Sequence, residues 1–249
     1  MVQQSIGKLI EALKDQEAIF GPLLFENRRL EKIDLDLLTY VAEYQTGEGE
    51  GNMESEFSKD GFKYSKNLSE LRDFMLECHK CPLEKTRTNL VFGSGNPKAK
   101  VMVIGEAPGA EEDLQAKPFV GRAGKLLTDI LAAIKFSREE VYITNILKCR
   151  PPGNRNPLPS EMEVCIPYLH RQIEIIKPKL ILCLGLISAS GLLNLKLSLG
   201  KMRGNVYEFG KAKVMVTYHP AALLRNPEWK RAAWEDVQKF RKLYDEMAG

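Results

Sequence analysis

The sequence predicts an α/β fold of three layers, α/β/α, on a four-stranded, mostly parallel sheet, with a small helical extension at the N-terminus. Two observations carry the prediction. Four short, nearly continuous apolar runs, KVMVIG (100–105), VYITNI (141–146), KLILCLG (179–185) and KVMVTY (213–218), alternate with helix-like segments. Strands that are apolar throughout and alternate with helices are strands covered on both faces. A third observation concerns function. The unusual loops GEAPGAEEDLQAKPFVGRAG, TNILKCRPPGNRNP and YHPAALLRNP each begin at the end of such a run. In open α/β sheets ligands bind in the crevice beyond the carboxyl ends of the strands, so the three loops are expected to converge.

Taken in order, residues 1–44 read as a helical extension: Ile6, Leu9, Ile10 and Leu13 recur at helical spacing, and Leu35 to Tyr44 follows Asp34 as an N-cap. Residues 45–67, with GEGEGNMESEFSKDG, are rich in Gly, Glu and Ser and read as a flexible linker. Residues 68–249 form the α/β domain, with helices at NLSELRDFMLE, AGKLLTDILAAI, PSEMEVCIPYLHRQIEII and LISASGLLNL. No Walker or dinucleotide-binding glycine motif follows a strand.

The net charge of +3 hides an asymmetry. Residues 1–66 carry thirteen acidic and eight basic side chains, so the remainder carries the positive excess expected of a phosphate-binding domain. No apolar run approaches the ~20 residues needed to span a bilayer. The acid-containing, amphipathic N-terminus fits neither a secretory signal nor a transit peptide. A cytoplasmic protein without membrane contact is expected.

Five cysteines in such a protein argue against a disulfide framework. Cys78 and Cys81 form a C-x-x-C pair; Cys149 follows the second strand, and Cys165 lies in the next helix. If the fold joins the two pairs, four thiolates make a tetrahedral zinc site or hold an iron–sulfur cluster, and the spacing does not choose between them. Cys183, inside LILCLG, reads as a small buried hydrophobe.

In the first loop Glu106, Glu111, Glu112 and Asp113 crowd around Gly109. Carboxylates there suit a developing positive charge or a water to be polarised. Phe119 suits stacking on a flat ligand, and Arg122 lies in the turn that opens a helix able to hold a phosphate. In the second loop Asn145 presents both a donor and an acceptor to a nucleobase edge, with Asn154 and Arg155 in a proline-rich turn behind it. In the third, His219 suits donation to an oxygen that gains negative charge. Leu224 and Arg225 pair an apolar wedge with a cation, the chemistry needed to fill a gap in a base stack. His79 and His170 read as structural.

These three loops, with the four cysteines in the same order and spacing, resemble the iron–sulfur-containing uracil-DNA glycosylases known as family 4, over about residues 68–245. The resemblance implies a structural [4Fe–4S] cluster on Cys78, Cys81, Cys149 and Cys165, no catalytic metal, and uracil-containing DNA as partner. It implies that Phe119 stacks on an extruded uracil and that Asn145 reads its pairing edge, beside Ala107. His219 would stabilise the departing base. Glu106 and Glu112, the latter held by Asn154, would stabilise the sugar cation or organise water. Arg122, Leu224 and Arg225 would contact DNA. Residues 1–66 are outside the resemblance, and a protein partner through residues 1–44 is the expectation there.

Two departures matter. Another branch of uracil-DNA glycosylases has an aspartate where this chain has Ala107, so that water-activating carboxylate is not carried over. A covalently cross-linking branch inserts a basic, histidine-containing loop; here the chain runs straight through LQAKPFVG, which implies turnover. The alternatives are a non-catalytic DNA-binding module of the same fold and a glycosylase of wider specificity that includes deaminated purines.

Overall fold

The computed structural model describes residues 61–248. The predicted extension 1–44 and most of the predicted linker 45–67 lie outside the described residues. What is described belongs to a compact unit running from Ser58 to Gly249. Within the stretch read as linker, Gly61–Tyr64 forms a 3-10 turn whose Phe62 is buried against Tyr168, ring centroids 4.4 Å apart.

The strands are β1 (Ser94–Gly95), β2 (Val101–Gly105), β3 (Tyr142–Asn145), β4 (Leu180–Leu184), β5 (Val206–Phe209) and β6 (Ala212–Thr217), side by side in the order β1-β3-β2-β4-β6-β5. The four predicted runs are β2, β3, β4 and β6, and these pair in parallel. The sheet has two more strands than predicted, because β1 and β5 add antiparallel edges. β1 is two residues long, and β5 alternates between exposed and half-buried positions. Neither shows the continuous apolar run that marks a strand covered on both sides.

The helices are α1 (Leu68–Leu76), α2 (Ala110–Gln115), α3 (Arg122–Ala133), α4 (Pro159–Ile176), α5 (Leu186–Leu193), α6 (Leu199–Met202), α7 (Pro220–Arg225) and α8 (Lys230–Ala248). Side chains of a strand alternate between faces, and the two cores follow that period. Met102, Ile104, Ile181, Cys183, Val214 and Val216 pack on one side with Leu169 and Ile173 of α4 and Leu192 of α5. Val101, Val103, Ile143, Leu182 and Met215 pack on the other with Leu127 and Leu131 of α3 and Phe240 of α8. Cys183 is core, as expected. Among the described residues no helix is long and apolar enough to cross a membrane.

The register levels the carboxyl ends of the parallel strands. Gly105 pairs with Asn145, Ile104 with Cys183, and Leu184 with Thr217. The loops after β2, β3 and β6 therefore leave the sheet at one edge, where they meet.

Candidate active site and cysteine centre

Those loops line a cleft of about 380 Å³. Of the residues singled out in the sequence, Glu106, Ala107, Glu112, Phe119, Asn145, Asn154, His219 and Arg225 border it. Arg122 and Leu224 are not in its wall; both are exposed, Leu224 to 43%.

Phe119 forms one wall by a chain of local constraints. Its own backbone sits in the left-handed region at φ 56°, a conformation a bulky residue adopts only when its surroundings impose it. Arg138 imposes part of it, donating to the carbonyls of Pro118 (2.9 Å) and Phe119 (3.1 Å). Two glycines make the room. A methyl group on Gly105 would lie 2.5 Å from the Phe119 ring and against Asn145 Oδ1, and one on Gly124 would strike the Phe119 carbonyl. The ring faces His219 with centroids 5.5 Å apart.

Asn145 is the last residue of β3 and is buried, yet its Oδ1 has no hydrogen-bond partner. Buried polar atoms are nearly always paired, and a native exception calls for an explanation. A donor supplied by a ligand lying under Phe119 is one. Behind Asn145, Lys148 is fully buried and its ammonium donates to the Asn145 carbonyl (2.6 Å), Thr144 Oγ1 (2.6 Å) and Gln172 Oε1 (2.8 Å). Burial pushes this amine down to about 7, against the pull of Cys165 and Cys149.

His219 caps α7, and its Nδ1 accepts the Ala221 N–H at 3.1 Å. Burial, with Arg225 beside it, pushes the ring down to about 4, so it is neutral near pH 7. With Nδ1 accepting, the proton of the neutral ring is on Nε2. Glu106 is half-buried, and burial raises its carboxyl above the usual carboxylate range while Arg225 opposes that rise.

Glu112 is engaged differently. Its oxygens accept from the backbone N–H groups of Val120 (3.0 Å), Gly121 (3.1 Å) and Gly109 (3.2 Å). The carboxylate thus braces the loop and sits at the N-terminus of α3, where negative charge is favoured; part of the helix end offered to a phosphate is occupied by the chain's own anion. Asn154, with φ 54°, has its Oδ1 turned to Arg150 Nε (2.7 Å) rather than to Glu112. Arg155 is committed to Glu161 by two bonds of 2.5 and 2.9 Å. His79 is exposed beside Glu84, and His170 packs on Phe209; neither borders the cleft.

A family model of the uracil DNA glycosylase superfamily matches residues 92–238. The chain belongs to the uracil-DNA glycosylase superfamily. A type-4 uracil-DNA glycosylase of Archaeoglobus fulgidus is 47% identical over 185 residues, covering 71% of this chain and 93% of that protein. The type-4 enzyme of Saccharolobus solfataricus is 49% identical over 185 residues, covering 71% and 86%. That of Thermotoga maritima is 47% identical over 171 residues, covering 67% and 89%.

In this member of the superfamily the remaining cysteines gather away from the cleft. Cys78, Cys81, Cys149 and Cys165, drawn from the turn after α1, the loop after β3, and α4, border one small cavity. Burial raises Cys81 and Cys149, and pushes Cys165 up to about 12. Thiolates so placed need a cationic centre beside them. Donors are already aimed at two of the sulfurs: Arg87 Nη1 to Cys149 (3.3 Å) and Tyr168 OH to Cys78 (3.6 Å). Among the described residues no three His, Cys, Asp or Glu side chains close on a single-ion site. Four sulfur donors around one small cavity are a donor set that fits zinc or an iron–sulfur cluster.

Several contributors had no sequence signal. Arg138, Gln172 and Arg87 act on residues nineteen, twenty-eight and sixty-two positions away, and no local pattern marks them. Lys148 stood in plain view beside Cys149, but only its complete burial makes it notable.

Proposed function

We propose that this protein excises uracil from DNA by hydrolysing the N-glycosidic bond, leaving an abasic site. The observation that carries the reading is the buried, unpartnered Asn145 Oδ1 beneath Phe119. Uracil offers N3–H to that oxygen and O4 to the amide nitrogen. Cytosine offers an acceptor and a donor in those places, leaving buried polar groups opposed, and sites built on such pairing discriminate strongly. This sets uracil apart from cytosine, whereas hypoxanthine and xanthine present the same N–H and carbonyl pair as uracil; the equipped cleft argues against the non-catalytic alternative.

The base reaches the cleft only out of the stack, with its face against Phe119 and with Leu224 and Arg225 occupying the gap it leaves. As the bond from N1 to the sugar breaks, the electron pair goes to the base and spreads onto a ring carbonyl oxygen. The Nε2–H of neutral His219 donates there, an interaction that strengthens as charge develops. Glu106 faces the cationic sugar and takes the proton from the attacking water. Glu112 keeps the loop in shape, Asn154 and Ala107 border the pocket, and Arg122 contacts the DNA backbone.

Cys78, Cys81, Cys149 and Cys165 would hold a [4Fe–4S] cluster, whose role is structural: when bound it supplies the positive charge these buried thiolates require. Residues 1–44 are proposed, from composition alone, to contact a protein partner. The protein acts within the cytoplasm on this reading.

A labelled oligonucleotide with one uracil, incubated with the protein in EDTA and then cleaved with alkali, tests the activity. Cleavage by wild type that collapses in Asn145→Ala supports the reading. Intact substrate in both single- and double-stranded form, with folded protein, overturns it.

A further inference from the structure

A fully buried lysine in an enzyme core is costly unless its charge is compensated, and none of the hydrogen-bond partners of Lys148 Nζ is a carboxylate. Its three N–H bonds are met by three neutral oxygens, those of Thr144, Asn145 and Gln172. The rest of the network is closed as well. Thr144 Oγ1 and Gln172 Nε2 both donate to the Phe92 carbonyl at 2.9 Å, and Thr144, Lys148 and Gln172 are all at 0% exposure. An apolar side chain here would leave those three buried oxygens without this donor, so what the oxygens belong to shows what the ammonium holds.

What it does is visible at the end of β3. Gly105↔Asn145 is the last pair in the β2–β3 register, and just beyond it the Ile146 N–H donates to the Gly105 carbonyl and the Leu147 N–H to the Glu106 carbonyl, both at 3.0 Å. The carbonyl of Asn145 itself accepts from the Lys148 ammonium. The same residue borders the cavity of the cysteine centre beside Cys149 and Cys165, and its carbonyl accepts the Val91 N–H at 2.9 Å. One residue thus joins the wall of the cysteine centre to the backbone of the residue whose orphaned oxygen faces the cleft.

We propose that Lys148 is a positioning residue for base recognition, a strut that transmits the rigidity of the cysteine centre to Asn145 and holds its amide at the pairing edge of the extruded base. The inference rests on the reading of Asn145 as the uracil-recognising residue. Lys148 touches no substrate and acts only through Asn145. A shift of the amide by about 1 Å would be enough to cost on the order of 100-fold in rate.

A double-mutant cycle distinguishes this from general support of the fold. Single-turnover uracil excision is measured for wild type, Lys148→Met, Asn145→Ala and the double variant, with visible absorbance of the iron–sulfur chromophore and melting temperature recorded for each. Lys148→Met is expected to slow excision by about 10- to 100-fold in the wild-type background. In the Asn145→Ala background it is expected to have almost no further effect, and the chromophore is retained. An equal factor in both backgrounds overturns the proposal, as does no effect in either, or a loss of rate that only tracks loss of chromophore. Should Lys148→Met not fold, Gln172→Met removes one acceptor and leaves the lysine. The same non-additivity with Asn145→Ala is expected of it, and additivity again overturns the strut. Inactive wild type would sink the reading of function instead, which keeps the two failures apart.

Discussion

The cleft and the cysteine centre lie on either side of Lys148 and treat polar atoms in opposite ways. In the cleft a buried amide oxygen is left without a partner, a phenylalanine is held in left-handed backbone, and a histidine is kept neutral in a place where its proton has a single direction to go. At the cysteine centre two of the four sulfurs already have a donor aimed at them. The difference teaches that unmet interactions gather at the cleft, where the proposed substrate would complete them, while donors stand ready at the cysteines, where the proposed cluster would be held. Substitutions on the two sides should therefore separate rate from stability.

The largest effect tests that separation directly. Cys165→Ala removes a buried sulfur from the centre and should abolish recovery of folded, coloured protein. His219→Ala should leave the melting temperature within a few degrees and lower single-turnover excision by about 100- to 1,000-fold, the range for loss of one preorganised donor to a developing oxyanion. Thermal melts and rates on the same two variants decide it; a His219→Ala protein as unstable as Cys165→Ala would erase the contrast.

Within the cleft, pH sharpens the comparison between its two titratable groups. Burial raises Glu106 above the ordinary carboxylate value and lowers His219 to about 4. A base must be unprotonated, so excision should fall as pH drops through the raised value of Glu106. No break should occur at the ordinary imidazole value, because His219 is already neutral there. Glu106→Gln should be slow and lose that acid limb. A limb that persists in Glu106→Gln would assign the proton acceptor elsewhere.

The smallest effect falls on the rim. Leu224 is exposed to 43% and makes no part of the cleft wall. Leu224→Ala should slow excision from duplex DNA several-fold, the loss expected when a shortened wedge offsets about 1 kcal/mol less of the unstacking cost. Excision from single strands should be unchanged. Equal slowing on both substrates would place Leu224 in the chemistry rather than in the opening of the duplex.

The sequence by itself determined the four parallel strands, the loops at their carboxyl ends, and most of the side chains those loops bring together, Arg122 and Leu224 excepted. The reason is that both cores are built from near-continuous apolar runs such as LILCL, and that the site residues sit in short stretches whose chemistry is read locally. It could not reach β5, whose half-buried alternation looks like surface, nor β1, which is too short to have a pattern. Tertiary structure alone decided how the carboxylates divide their work. Glu106 and Glu112 are equivalent in sequence, and only the backbone N–H groups of Gly109, Val120 and Gly121, folded around Glu112, make it a brace. It likewise turned Asn154 to Arg150 and set Lys148 under Asn145. Pattern along the chain reports burial, which is periodic; the partner a polar group finds is fixed by where distant segments meet, and that has no local trace.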